Sequence, residues 1–274
     1  MDTVQMRDSS MERDAQIDRV ADYAGQEAIV AEPWPSTIGS RDLSRSERRR
    51  ILAEWLEFFR QPSPIKHLTL WCRVTDEILE GISTQTQLET LTLHWGPYTE
   101  LSHFLALTRL RELTLGGASA ITDLNPVAQL RGLTHLSVEN ARKLRDYTPL
   151  GQLTGLRYLS VDRGITGSRA DAESIDFVRD LPNLRTLYWD PRVAPGDYSA
   201  LLSLTEATEV HVSPSKGMTP SIADLEWALP GMQAHRRRRA DHTIPLYEGE
   251  KLIGWLGTNV AGRMEFLPPD ANRT

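Results

Sequence analysis

The sequence predicts an α/β solenoid, with short parallel strands side by side on one face and short helices or 3-10 turns covering the other. Three observations predict it. One apolar–polar alternation recurs along the chain, and its central apolar residues are Leu68, Leu91, Leu113, Leu136, Leu159, Leu187 and Val210, spaced by 23, 22, 23, 23, 28 and 23 residues. Each occurrence is followed by polar chain and then a second apolar group. The segments flanking the repeats are built differently, as the ends of a stacked array must be.

In chain order, residues 1–43 are polar and weakly patterned, and are expected to be partly flexible. Residues 44–64 read as an amphipathic helix that caps the first repeat. Ser44 is placed to cap its N-terminus, with Glu47 three residues on completing a capping box. Ile51, Leu52, Trp55, Leu56 and Phe59 form its apolar stripe, and Pro62 and Pro64 end it.

The solenoid is assigned to residues 65–239. Its strands carry inward-facing triplets: Ile65, Leu68 and Leu70; Leu88, Leu91 and Leu93; Leu110, Leu113 and Leu115; Leu133, Leu136 and Val138; Leu156, Leu159 and Val161; Leu184, Leu187 and Trp189; and, more weakly, Ala207, Val210 and Val212. Alternation at period two buries one face of a strand. The return segments are clearest at Ile121, Leu124, Pro126, Val127 and Leu130, and at Leu144, Tyr147, Pro149, Leu150 and Leu153. One such unit cannot bury its apolar side alone, so stacked units must pool a core.

These residues resemble the leucine-rich-repeat family, in the bacterial, internalin-type subclass with repeats of about 22 residues. The resemblance covers about residues 65–213 and implies a curved leucine-rich-repeat solenoid with its parallel sheet on the concave side. One position departs from the pattern. Where the family carries an asparagine ladder after each strand, this chain reads Arg73, Gly96, Ala118, Ala141, Gly164 and Arg192. Glycine can make such a turn without help.

The fifth repeat is five residues longer than its neighbours, and its extra chain lies within residues 163–176, polar and glycine-rich. That is either a tolerated surface insertion or part of a binding site. A degenerate last repeat holds Ile222, Leu225, Trp227, Leu229 and Met232 and runs into the basic stretch 235–239. Residues 240–274 contain two short apolar runs about Glu248 and Gly249 and another near Phe266, which predicts a small β appendage: a hairpin plus one strand.

Side-chain alternation also nominates the residues left exposed on the concave face. The partner-binding candidates are Trp71, His94, Trp95, Glu112, His135, Glu139, Tyr158, Asp162, Arg163, Tyr188, Asp190 and His211. Aromatic groups gather toward one end and carboxylates toward the other, with Lys66, Arg111, Arg157 and Arg185 one row further out. Such a surface suits a protein partner, although exposed strand positions are polar in any sheet.

Chemistry is harder to find. Four of the seven histidines (His67, His94, His135 and His211) fall on this face, but His67 and His135 lie three strands apart, too far to share a metal ion. Cys72, the only cysteine, has no orienting partner for nucleophilic work. No phosphate loop, dinucleotide fingerprint, zinc spacing or nucleophile elbow occurs. No cofactor, metal or catalytic residue is therefore expected. A net charge of −6 argues against general nucleic-acid affinity, and the basic runs 48–50 and 235–239 belong to opposite ends of the solenoid. The first twenty residues carry eight charges and no apolar run, so no secretory signal is read, and no later stretch is long and apolar enough for a membrane helix. A lone cysteine favours a reducing compartment, the cytoplasm.

The expected function is a non-catalytic protein-binding module, a regulator, inhibitor or immunity-type protein. The alternative is a nucleic-acid-binding or enzyme-accessory subunit using the arginine clusters and the C-terminal appendage.

Overall fold

A computed structural model of the chain describes residues 15–35, 43–164 and 167–232, together with the backbone of 244–248, 251–258 and 264–267. Nine strands form one open parallel sheet: β1 (Ala15–Ile17), β2 (Ala28–Ala31), β3 (His67–Arg73), β4 (Thr90–Trp95), β5 (Glu112–Leu115), β6 (His135–Glu139), β7 (Tyr158–Asp162), β9 (Thr186–Trp189) and β11 (Glu209–Val212). Their order in space is their order in the chain. Two short strands, β8 (Asp171–Ala172) and β10 (Arg192–Val193), pair with each other in parallel outside it.

The registers show why the 23-residue period matters. Leu68, Leu91, Leu113, Leu136, Leu159, Leu187 and Val210 are successive partners across the sheet. So are Leu70, Leu93, Leu115, Val138, Val161, Trp189 and Val212. All fourteen are buried, and they share one core with the return segments. Each fully buried leucine contributes roughly 2 kcal/mol of transfer free energy. One rung recurs where chain enters strand: Arg111 N–H donates to Glu89, Thr134 to Arg111, Arg157 to Thr134, Arg185 to Arg157 and Thr208 to Arg185, each at 2.8 Å to the carbonyl oxygen.

The opposite layer is made of α1 (Arg45–Phe59), α2 (Asp76–Ile82), α3 (Asn125–Ala128), α4 (Ile222–Ala228) and 3-10 turns at Leu101–Ala106, Thr148–Gln152, Asp176–Asp180 and Ser199–Ser203. The turns at Asn125–Ala128 and Thr148–Gln152 start with proline in their first two positions, where its fixed φ and missing N–H cost nothing. At the front, Glu47 N–H donates to Ser44 Oγ at 3.2 Å, and Ser44 N–H returns a bond to the Glu47 carboxylate at 2.8 Å. The capping box is therefore formed as the spacing predicted. Ile51, Trp55 and Phe59 are buried beneath α1.

The described part of the leading segment adds to the sheet. Residues 15–31 supply two further parallel strands, with Ile29 in register with Leu68 and Lys66 N–H donating to Glu27 O at 2.8 Å, the same rung as in the repeats. Helix α1 thus joins β2 to β3 and packs on α2, and the sheet continues past it to β1. Within the segment 1–43, expected to be partly flexible, the described residues 15–35 thus hold two strands of the sheet. Ile29 and Ala31 do the work of the paired leucines, but two inward residues are too short a pattern to stand out.

The edge without an asparagine ladder is held by backbone. Val74 N–H donates to Trp95 O at 2.8 Å, Ala118 to Glu139 O at 2.8 Å and Asn140 to Asp162 O at 2.7 Å. The buried Tyr98 hydroxyl donates to Gly116 O at 2.8 Å. The chains come so close that a Cβ on Gly96 would sit 1.9 Å from Val74 O, which explains glycine there.

Past the solenoid, β12 (Ile244–Glu248) pairs antiparallel with β13 (Lys251–Thr258), which pairs antiparallel with β14 (Met264–Leu267). This three-stranded sheet occupies the stretch where a hairpin and one strand were expected. The basic run at 235–239 lies outside the described residues. Among the described residues, no helix is long and apolar enough to cross a membrane.

Candidate partner-binding face

The site is the side of the sheet turned away from the helices. At β3 the register slips: Leu70 pairs with Leu93, but Arg73 pairs with Trp95, so Trp71 and Cys72 together stand opposite His94. A bulge of this kind re-aims side chains. Cys72 goes inward and is fully buried, while Trp71 is 47% exposed. The Trp71 indole stacks on the His94 imidazole, ring centres 3.8 Å apart and planes 15° off parallel. Burial lowers the His94 pKa below its ordinary value, which favours the neutral ring. Trp95 adds a second indole, 42% exposed.

On the next strands, Glu139 and Asp162 are direct partners in the β6–β7 register. Burial, and then the neighbouring Asp162 charge, push the Glu139 carboxyl above its ordinary value. Asp162 accepts from Ser160 Oγ at 3.0 Å and from Gly164 N–H at 2.6 Å.

Two rows nearer the strand starts, Glu112 lies 4.0 Å from His135 Nδ1. His135 stacks on Tyr158 with centres 5.9 Å apart, Tyr158 meets Tyr188 at 6.1 Å, and Tyr188 meets His211 at 6.0 Å. Four rings thus form a band over β6, β7, β9 and β11. The Tyr188 hydroxyl donates to Glu209 at 2.7 Å. Thr69 and Ser160 alternate with inward leucines and valines on β3 and β7, yet they too are buried.

Asp190 differs from its expected role. It is only 8% exposed, and its carboxylate accepts from Ser213 Oγ at 2.6 Å and pairs with Arg163 at 3.4 Å. The cause is Arg169, which lies within the fifth-repeat insertion. Its guanidinium donates to the carbonyls of Asp190, Ser213 (2.7 Å) and Pro214 (2.6 Å), and to Ser215 Oγ at 2.9 Å. Arg169 therefore fastens the fifth-repeat insertion across the ends of β9 and β11. Its companions β8 and β10 are tied by Arg192 Nε donating to Asp171 at 2.9 Å. The described residues of the insertion, 163, 164 and 167–176, are built into the fold. A single arginine among glycines gives no sequence signal of that.

The remaining groups offer little chemistry. Burial pushes the Cys72 thiol up to about 12, so no thiolate forms near neutral pH, and it points into the core while His94 points out. His67 Nδ1 lies 3.1 Å from Thr90 Oγ1. Among the described residues, no three His, Cys, Asp or Glu side chains converge as metal ligands would.

An open parallel sheet in unbroken chain order, a recurring leucine register and a row of short return turns together define a leucine-rich-repeat solenoid. No family model and no curated protein matches the sequence. Among solved structures, the chain is similar to internalin C2 of Listeria monocytogenes, with 22% identity over 60% of this chain and 79% of that one and a TM-score of 0.41. It is also similar to a second internalin of that organism (19% identity, 56% of this chain, 51% of that one, TM-score 0.39) and to a leucine-rich-repeat protein of Leptospira interrogans (19%, 56%, 44%, 0.33). In the last two cases it spans about half, or less, of the other chain. The fold assignment rests on this chain's own registers.

Proposed function

We propose that the chain is a protein-binding module that acts without chemistry of its own, gripping its partner on the open face of the sheet. The observation that carries this reading is the pair of indoles, Trp71 and Trp95, exposed by 47% and 42% on strands that a continuous core holds rigid. Large rings exposed on a fixed frame are what interface hot spots are made of, since they bury much area with little loss of side-chain freedom. The band from His135 to His211 extends the same character across the sheet. Within this reading the protein is a regulator, inhibitor or immunity-type protein working in the cytoplasm. Its one cysteine, buried as a thiol, supports a reducing compartment.

The test is affinity capture of partners from the native cell extract, followed by calorimetry with the purified candidate. Trp71→Ala is expected to weaken binding by at least tenfold, while Glu80→Ala on α2 leaves it unchanged. Equal affinity of all three proteins would refute the reading.

A further inference from the structure

One row of the open face carries Trp71, His94, Glu139 and Asp162 on β3, β4, β6 and β7, with Gly116 following directly on the end of β5 between them. Its two ends differ in chemistry. At one end are the stacked Trp71 and His94, and Trp95, the next residue of β4, is 42% exposed. At the other are Glu139 and Asp162, adjacent, half-buried carboxyl groups. Gly116, between them, has no side chain, and a Cβ there would run within 2.2 Å of the His94 carbonyl.

Among the described residues these two carboxylates have no counter-charge. Arg163 is the next residue in the chain, yet its guanidinium is turned to Asp190 at 3.4 Å, and Arg169 is spent on Asp190 and the chain beyond it. Among the described residues, no cation comes within 4.0 Å of Glu139 or Asp162. Two partly desolvated like charges repel, and a partner's cation placed between them would relieve that cost.

The spacing follows from sheet geometry. Strands lie about 4.8 Å apart, so three steps separate the middle of the aromatic pair from the middle of the acidic pair by roughly 14 Å. An extended chain rises about 3.3 Å per residue, so about four residues cover that span. Residues i and i+4 of an extended chain also point to the same side.

The geometry points to an extended segment of the partner laid across the strands, with an aromatic or large aliphatic side chain on Trp71, His94 and Trp95, and an arginine or lysine four residues away between Glu139 and Asp162. This rests on the reading of the open face as a partner-binding surface and adds to it the chemistry of what is bound.

The experiment is selection of phage-displayed random dodecapeptides on the full chain, followed by titration of the selected peptides. Enriched peptides are expected to carry an aromatic or large aliphatic residue and, four positions away, Arg or Lys. The double variant Glu139→Gln, Asp162→Asn should weaken the selected peptide at least tenfold. Replacing the peptide's basic residue by alanine should cost as much against the native chain and little against that variant. Peptides lost on Trp71→Ala but indifferent to the carboxylates would overturn this inference and leave the binding-face reading standing. Peptides indifferent to both, or no enrichment at all, would overturn the two together. Self-association that rises with concentration in sedimentation and vanishes in Trp71→Ala would make a second copy of the chain the occupant, and would likewise overturn the proposal.

Discussion

The indole of Trp71 lies flat against the imidazole of His94 on the neighbouring strand, ring centres 3.8 Å apart. The pairing depends on the slip that sets Trp71 and Cys72 together against one residue of β4. It sets two rings flat against each other on the open face, where burial lowers the affinity of the histidine for a proton.

That has a measurable consequence. Burial lowers the His94 pKa from 6.5, so the folded chain binds a proton there less readily than the unfolded one. The contribution of the pair to stability is complete above pH 6.5 and is lost as pH falls from there through the folded-state value. Titration of the His94 ring by NMR is expected to show a midpoint below 6.5, and Trp71→Ala to move it back up toward that value. A midpoint unchanged by the substitution would separate the two rings.

Glu139 works in the opposite sense. Its carboxyl is raised above the ordinary 4.5 by burial and by Asp162, so its folded form holds a proton that the unfolded form has released. Stability is therefore fullest below about pH 4.5 and declines as pH rises through the folded-state value. Glu139→Gln should melt higher than the native chain at pH 7, with the gap closing by pH 4. Denaturation scans at the two pH values check this.

Arg169 is predicted to hold the fifth-repeat insertion. Arg169→Ala removes donors from three carbonyls and Ser215 at once and should cost about 1–3 kcal/mol. The readout is hydrogen exchange or limited proteolysis, with the increase confined to residues 163–176 and the ends of β9 and β11. Gly167→Ala should loosen the same segment, because its Cβ would meet the Arg163 carbonyl at 1.9 Å.

The core predicts uniform behaviour along the repeats. Leu113→Ala and Leu136→Ala remove equivalent, fully buried side chains and should each destabilise the chain by about 2–5 kcal/mol, with similar values for the two. Urea denaturation measures both.

How much of this could be read in advance depends on the range of the interaction. The alignment of Leu91, Leu113 and Leu136 was legible because one period repeats it, and the Ser44–Glu47 box because it spans three residues. Strands β1 and β2 were hidden, since Ile29 and Ala31 are spread over four residues and Leu68 lies 39 positions beyond Ile29. On the face, alternation found the rings and the acidic pair. It placed Asp190 there too, because nothing local reveals that Arg169, 21 residues earlier, and Ser213, 23 later, fold over it. The bulge at Trp71 and Cys72 was equally silent, being a property of two strands together.

The most direct test is a ladder of spin-label distances in a Cys72→Ala background, with one label at Thr92 on β4 and the second at Ser160, Tyr188 or His211 on β7, β9 or β11 in turn. These positions share one row, so the distance should begin near 14 Å and grow by about 5 Å with each strand. Distances that fail to rise in that order would mean the strands are not stacked in chain sequence, and the face described above would not exist.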